Sequence, residues 1–187
     1  MSGPAFFVVS TAVGPGRALG HALEPAFGSS RPAPTGVVYT LLLLLHVAST
    51  VVGFGALGLT GFQAARARHG PSGPRAGSVR RYFRPGINRA ARVLYLVPVF
   101  GFALLAESGG AFHVSDAFVL SGLGMWVAAT AVAEQVLWPA ERRIQRVVTH
   151  DWRPDESLRR DCAKVVTATW FLILVFVAAV VIMVAKP

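Results

Sequence analysis

The sequence is poor in charge, in acid and in thiol. Only 14% of its 187 residues are charged while 53% are hydrophobic, against about 25% charged in an ordinary soluble domain. Lipid must therefore be the solvent for most of the chain. Its single cysteine, Cys162, excludes an intramolecular disulfide. With no histidine beside it, Cys162 reads as a small apolar residue near a membrane interface rather than a reactive or metal-bound thiol. There is no phosphate-binding loop, no HExxH, GxSxG or CxxC, and no pair of carboxylates inside an apolar stretch. These absences remove the common signatures of catalysis. The run GFGALGLTG is no dinucleotide fingerprint, because no strand precedes it and it lies within an apolar stretch.

What is present is four long apolar stretches and a lopsided distribution of base. Of the 18 lysines and arginines, eight lie between the first and second stretches (Arg66, Arg68, Arg75, Arg80, Arg81, Arg84, Arg89, Arg92). Seven more lie between the third and fourth (Arg142, Arg143, Arg146, Arg153, Arg159, Arg160, Lys164), which leaves Arg17, Arg31 and Lys186 elsewhere. Short loops this basic stay in the cytoplasm. Both termini are then expected outside a bacterial plasma membrane, crossed several times. The net charge of +9 follows from orientation and from attraction to anionic lipid headgroups. Nucleic acid is not expected as a partner, since no binding fold or aromatic stacking surface accompanies the arginines.

The expected fold is all-α, a polytopic bundle of four transmembrane helices running up and down over residues 36–187, with spans about 37–64, 87–106, 117–138 and 165–185. The preceding residues 1–35 read as an extracytoplasmic tail. Their apolar stretch Ala5 to Val13 is too short for a span and has no preceding positive charge for a signal peptide. Between the first two spans, Arg66 to Arg84 is expected to be irregular, with a helix starting near Pro85. Inside the second span Pro98 cannot donate to the carbonyl of Leu94, which predicts a kink. Beyond Pro139, AERRIQRVV sets Ile144, Val147 and Val148 against Arg142, Arg143 and Arg146, the pattern of a helix lying on the membrane surface. The fourth helix is expected to start at Pro154, with Asp155 and Glu156 in its first turn.

Few residues are candidates for a site. His46 falls about nine residues into the first span, and an ionisable group at that depth is a functional candidate. The expected role is structural, a neutral ring hydrogen-bonded between helices. Haem b is the alternative, and Met125 is then the one intramembrane side chain at matching depth to complete the axial pair. No cofactor is expected on balance, and no catalytic residue or metal site is assigned; His113 and Met183 are too isolated to specify copper. His46, Ser49, Gly53, Thr60 and Gly61 share a face of small and polar residues suited to helix packing or contact with a partner. Glu134, near the basic end of the third span, is expected to pair with Arg66 or Lys164.

The segments TLLLLLHVASTVVGFGALGL, RAARVLYLVPVFGFALL and WPAERRIQR resemble an uncharacterised family of predicted four-helix bacterial integral membrane proteins. The Ala, Arg, Gly and Val bias looks like that of a high-GC actinobacterium. Small helical proteins of this kind are similar to accessory subunits around respiratory complexes. The resemblance implies no established activity. The leading expectation is a non-catalytic membrane subunit that packs against and stabilises a larger membrane complex, such as a respiratory oxidase or supercomplex. The alternative is a small transporter or proton- or redox-linked membrane protein using His46 and Glu134.

Overall fold

The computed structural model describes residues 36–72 and 75–185, and among these it forms five helices. The expected tail over residues 1–35, with its arginines, and the last two residues lie outside the described residues. Four of the helices are long and apolar enough to cross a membrane. The protein is a multi-pass membrane protein with an all-helical fold. In hydrocarbon no water can satisfy a peptide group, so each spanning segment closes its own hydrogen bonds as a helix.

The first helix, α1 (Val37–Ala67), runs beyond the expected end at Ala64 and carries its glycines without a break. Its last carbonyl, of Ala67, is buried and takes the indole Nε1–H of Trp152 at 3.0 Å. That bond satisfies a group a helix end otherwise leaves orphaned. The following loop is not wholly irregular as expected, because α2 (Ala76–Tyr82) forms there and buries Val79. Nor does the next helix begin at Pro85. Gly86 takes φ 152, a conformation that interrupts a helix, and α3 (Arg89–Glu107) starts after Asn88, whose side chain accepts from the Ala91 N–H at 3.3 Å. Asn88 is thus the N-cap.

Proline shapes both middle spans. In α3, residues Val93–Tyr95 tighten into a 3₁₀ turn ahead of Pro98. In α4 (Ala117–His150) the turn Ala133–Leu137 widens into a π turn ahead of Pro139. Pro139 has no N–H for the carbonyl of Gln135 and its ring would crowd it. A wider turn absorbs the clash, so the helix continues past the proline. Helix α5 (Glu156–Ala185) begins two residues later than expected. Asp155 is its cap rather than a first-turn residue, accepting from the Leu158 N–H at 2.8 Å.

The amphipathic stretch after Pro139 is also used differently from expectation. Ile144 and Val148 are buried in the bundle, where this part of α4 packs on the start of α5 and the end of α1. Its apolar face therefore covers protein and not a membrane surface. Most of the fully buried large side chains, among them Leu57, Phe83, Leu94, Leu137, Ile144 and Leu158, lie toward the arginine-bearing end, called the basic end below. At the opposite, distal end, Leu96–Glu107 buries no residue and Ala117–Val132 buries only Ala129. The bundle is tight at one end and open at the other.

Candidate functional site

The open end encloses a cavity of about 470 Å³ lined by residues of α1, α3, α4 and α5. His46 and Met125 both line it. Nearly all of its wall is aliphatic or aromatic, including Phe54 and Phe176, whose rings are 5.2 Å apart between α1 and α5. No lysine, arginine, aspartate or glutamate is among the described lining residues. Its size lies within the range of about 300–1,000 Å³ typical of small-molecule sites.

Small residues keep this space open and let the helices close beneath it. A Cβ on Gly101 would meet the His46 ring at 3.3 Å, so glycine there leaves room for the imidazole. Toward the basic end, a Cβ on Gly53 would lie 3.0 Å from the Leu94 backbone. One on Gly61 would collide with Thr169, with Cβ to Cβ at 2.6 Å. Ser49, Gly53, Thr60 and Gly61 are all buried in the bundle. The face expected to pack or to meet a partner is taken up by α3, α2 and α5, so these residues offer no outward docking surface.

His46 makes the interhelical hydrogen bond expected of it. Its Nδ1 is 2.9 Å from the Val97 carbonyl oxygen on α3. A carbonyl only accepts, so Nδ1 carries the proton. In apolar surroundings the neutral ring avoids burying an unpaired charge. Nε2 is left with its lone pair. The neighbouring hydroxyls do not compete for it, because Ser49 and Thr50 both donate to the His46 carbonyl, at 2.9 and 2.7 Å. The Trp126 indole is engaged as well, donating to the Leu94 carbonyl at 3.0 Å. That is the carbonyl Pro98 leaves without its helical donor, so it is satisfied from α4 instead.

Glu134 does not pair with Arg66 or Lys164. Its carboxylate accepts from Arg92, 3.3 Å away, and from the Tyr95 hydroxyl. Arg66 instead stacks over Phe62, with 3.8 Å from guanidinium to ring centroid, and Lys164 is exposed. The π turn that holds Glu134 aims it at α3 rather than at α1 or α5. Arg92 also lies 3.4 Å over the Trp138 ring. A second polar group that the sequence did not reveal lies nearby. Thr60 and the Tyr82 hydroxyl are 2.5 Å apart, and Asn88 donates to Tyr82 at 3.1 Å. Glu141, only 4% exposed, meets Asn88, with Arg92 close by.

Thus His46, Trp126 and Glu134 all attach to one stretch of α3, Arg92–Val97. Among the described residues no group of three or more His, Cys, Asp or Glu is placed to hold a metal ion. The thiol of Cys162 is fully buried. Outside the membrane-spanning helices, the Leu158 N–H and the Ser157 hydroxyl hold the Asp155 carboxyl below its ordinary value. Comparison with protein-family models, curated proteins and solved structures finds no match for the chain.

Proposed function

We propose that this protein is a non-catalytic membrane protein that holds a small, largely apolar ligand in the distal cavity against His46. The observation carrying this reading is the lone pair of Nε2, fixed in direction by the Nδ1 bond to Val97 and set in the wall of a 470 Å³ cavity. The four-helix bundle has its core at the basic end, so the distal half supplies space instead of stability. The docking-subunit expectation drew on the small-residue face together with the amino-terminal tail and short loops, and its association with a respiratory complex came from the resemblance alone. With that face buried in the bundle, the geometry favours a ligand-holding role over a docking one.

Native mass spectrometry after mild-detergent extraction tests the reading. A retained small molecule is expected in the wild type and should be lost in Leu123→Trp, which fills the cavity wall. A wild type that carries nothing and binds no added apolar compound would refute it. In this proposal the basic end faces the cytoplasm, a reading supported by the 15 of the 18 basic residues that cluster there. Ser72→Cys should resist a membrane-impermeant maleimide in intact cells while Ser115→Cys reacts. The reverse pattern would invert the topology. Both positions are exposed, whereas Ser108 is buried and hydrogen-bonded to the Leu105 carbonyl.

A proton- or redox-linked role for His46 and Glu134 is the second reading, favoured by their common attachment to Arg92–Val97. Proton flux in liposomes that disappears in both His46→Phe and Glu134→Gln would support it. Flux absent from the wild type would eliminate it.

A further inference from the structure

We infer that the cavity ligand is an iron porphyrin, held axially by His46 Nε2 and the Met125 thioether. The inference rests on the ligand-holding reading above and names the ligand's class. Donor count decides it. A bare metal ion in a closed protein site takes about four protein donors, and the described lining residues present one imidazole nitrogen and thioether sulfurs with no carboxylate or thiolate among them. A metal that brings four equatorial nitrogens of its own needs two axial donors only, and histidine with methionine is a pair suited to iron in that setting.

Position agrees with donor type. His46 is nine residues from the distal start of α1 and Met125 eight from the distal start of α4, which puts them at about 14 and 12 Å along their helices. The two side chains come from different helices into one cavity. Met183 also lines the cavity, but it sits two residues from the distal end of α5, away from the His46 level. The bond from Nδ1–H to the Val97 carbonyl is the outer contact that orients a metal-binding imidazole and raises its basicity. An apolar, aromatic wall suits the macrocycle.

The porphyrin carboxylates set a further condition. With no cation among the described lining residues, they are expected to reach water, and the cavity runs toward the distal surface at Tyr39, about 10 Å from His46 along α1. A hydroquinone lipid is the competing occupant. Its hydroxyl could donate to Nε2, but it gives Met125 no role.

The test is an absorption spectrum of the full chain in detergent, as purified and after titration with haemin. The wild type should show a Soret band saturating at one equivalent. His46→Gly should lose at least tenfold in haemin affinity and recover the band with added imidazole, a rescue that a purely structural histidine would not give. Met125→Leu should retain the pigment while its ferric spectrum changes from low-spin to high-spin. Circular dichroism of each variant verifies the helical fold. No Soret band in folded wild type, or one unchanged in His46→Gly, overturns the inference. If native mass spectrometry of that same sample shows another molecule retained, and Leu123→Trp releases it, ligand holding survives and only the porphyrin assignment fails. An empty cavity that takes up no compound overturns both.

Discussion

Replacing Trp126 with Phe should be costly only while Pro98 is present. Pro98 deprives the buried Leu94 carbonyl of its helical donor, and the Trp126 indole replaces that donor at 3.0 Å. Phe keeps most of the ring but has no N–H. A hydrogen bond between transmembrane helices contributes about 0.6 kcal/mol on average and up to about 1.7, and an orphaned buried carbonyl costs about 1–3 kcal/mol. Trp126→Phe is therefore expected to destabilise the bundle by about 1–2 kcal/mol. In a Pro98→Ala background the alanine N–H returns to Leu94, so the same change should cost less than about 0.5 kcal/mol. Equilibrium unfolding of the four proteins in bicelles, arranged as a double-mutant cycle, measures the coupling. Additivity within about 0.3–0.5 kcal/mol would refute the idea that Trp126 stands in for the donor proline removed.

Gly53→Ala should destabilise by about 1–3 kcal/mol through overpacking, since its Cβ would lie 3.0 Å from the Leu94 backbone, while Gly55→Ala, which meets nothing within 4 Å, should be neutral or slightly stabilising in the same unfolding assay. Arg92→Ala should cost more than Glu134→Gln, because it removes both the carboxylate contact and the cover over Trp138. The glutamate change should stay within about 1 kcal/mol, as expected of a partly exposed pair. Equal costs would contradict the stacked geometry. Asp155 is held below the ordinary carboxylate value by its bond from Leu158, so its cap is fully present above about pH 3.9. Its stabilisation is lost as pH falls through the lower folded-state value. Protection factors of the amides in the first turn of α5 should fall on acidification, and Asp155→Asn should abolish that pH dependence.

The spans were legible because hydropathy and the clustering of arginine are properties of the chain itself. Pro98 likewise announced an unsatisfied Leu94 carbonyl. Which donor would meet it was not legible, because Trp126 is remote in sequence and reaches Leu94 only once α3 and α4 pack. Glu134 was expected to meet Arg66 or Lys164, and its pairing with Arg92 appears only once α3 and α4 pack. The stretch after Pro139 had the right amphipathic period but an ambiguous partner. A lipid surface and the flank of a bundle ask for the same pattern. The small-residue face of α1 was visible for a similar reason, and only the packed fold shows that α2, α3 and α5 use it. His46 stood out by type and depth. The free direction of Nε2 depended on the Val97 carbonyl, which no local pattern encodes.

The central claim is that His46 gives its Nδ1 proton to Val97 and turns an unprotonated Nε2 toward the cavity. Nitrogen-15 NMR of histidine-labelled protein in lipid nanodiscs, with the His46 signal assigned by its loss in His46→Phe, tests this most directly. The account predicts a neutral ring with the proton on Nδ1, and an Nε2 signal that moves when a cavity ligand binds while the Nδ1 proton stays in place. A ring carrying its proton on Nε2, or an Nε2 signal unmoved by a ligand known to occupy the cavity, would contradict it.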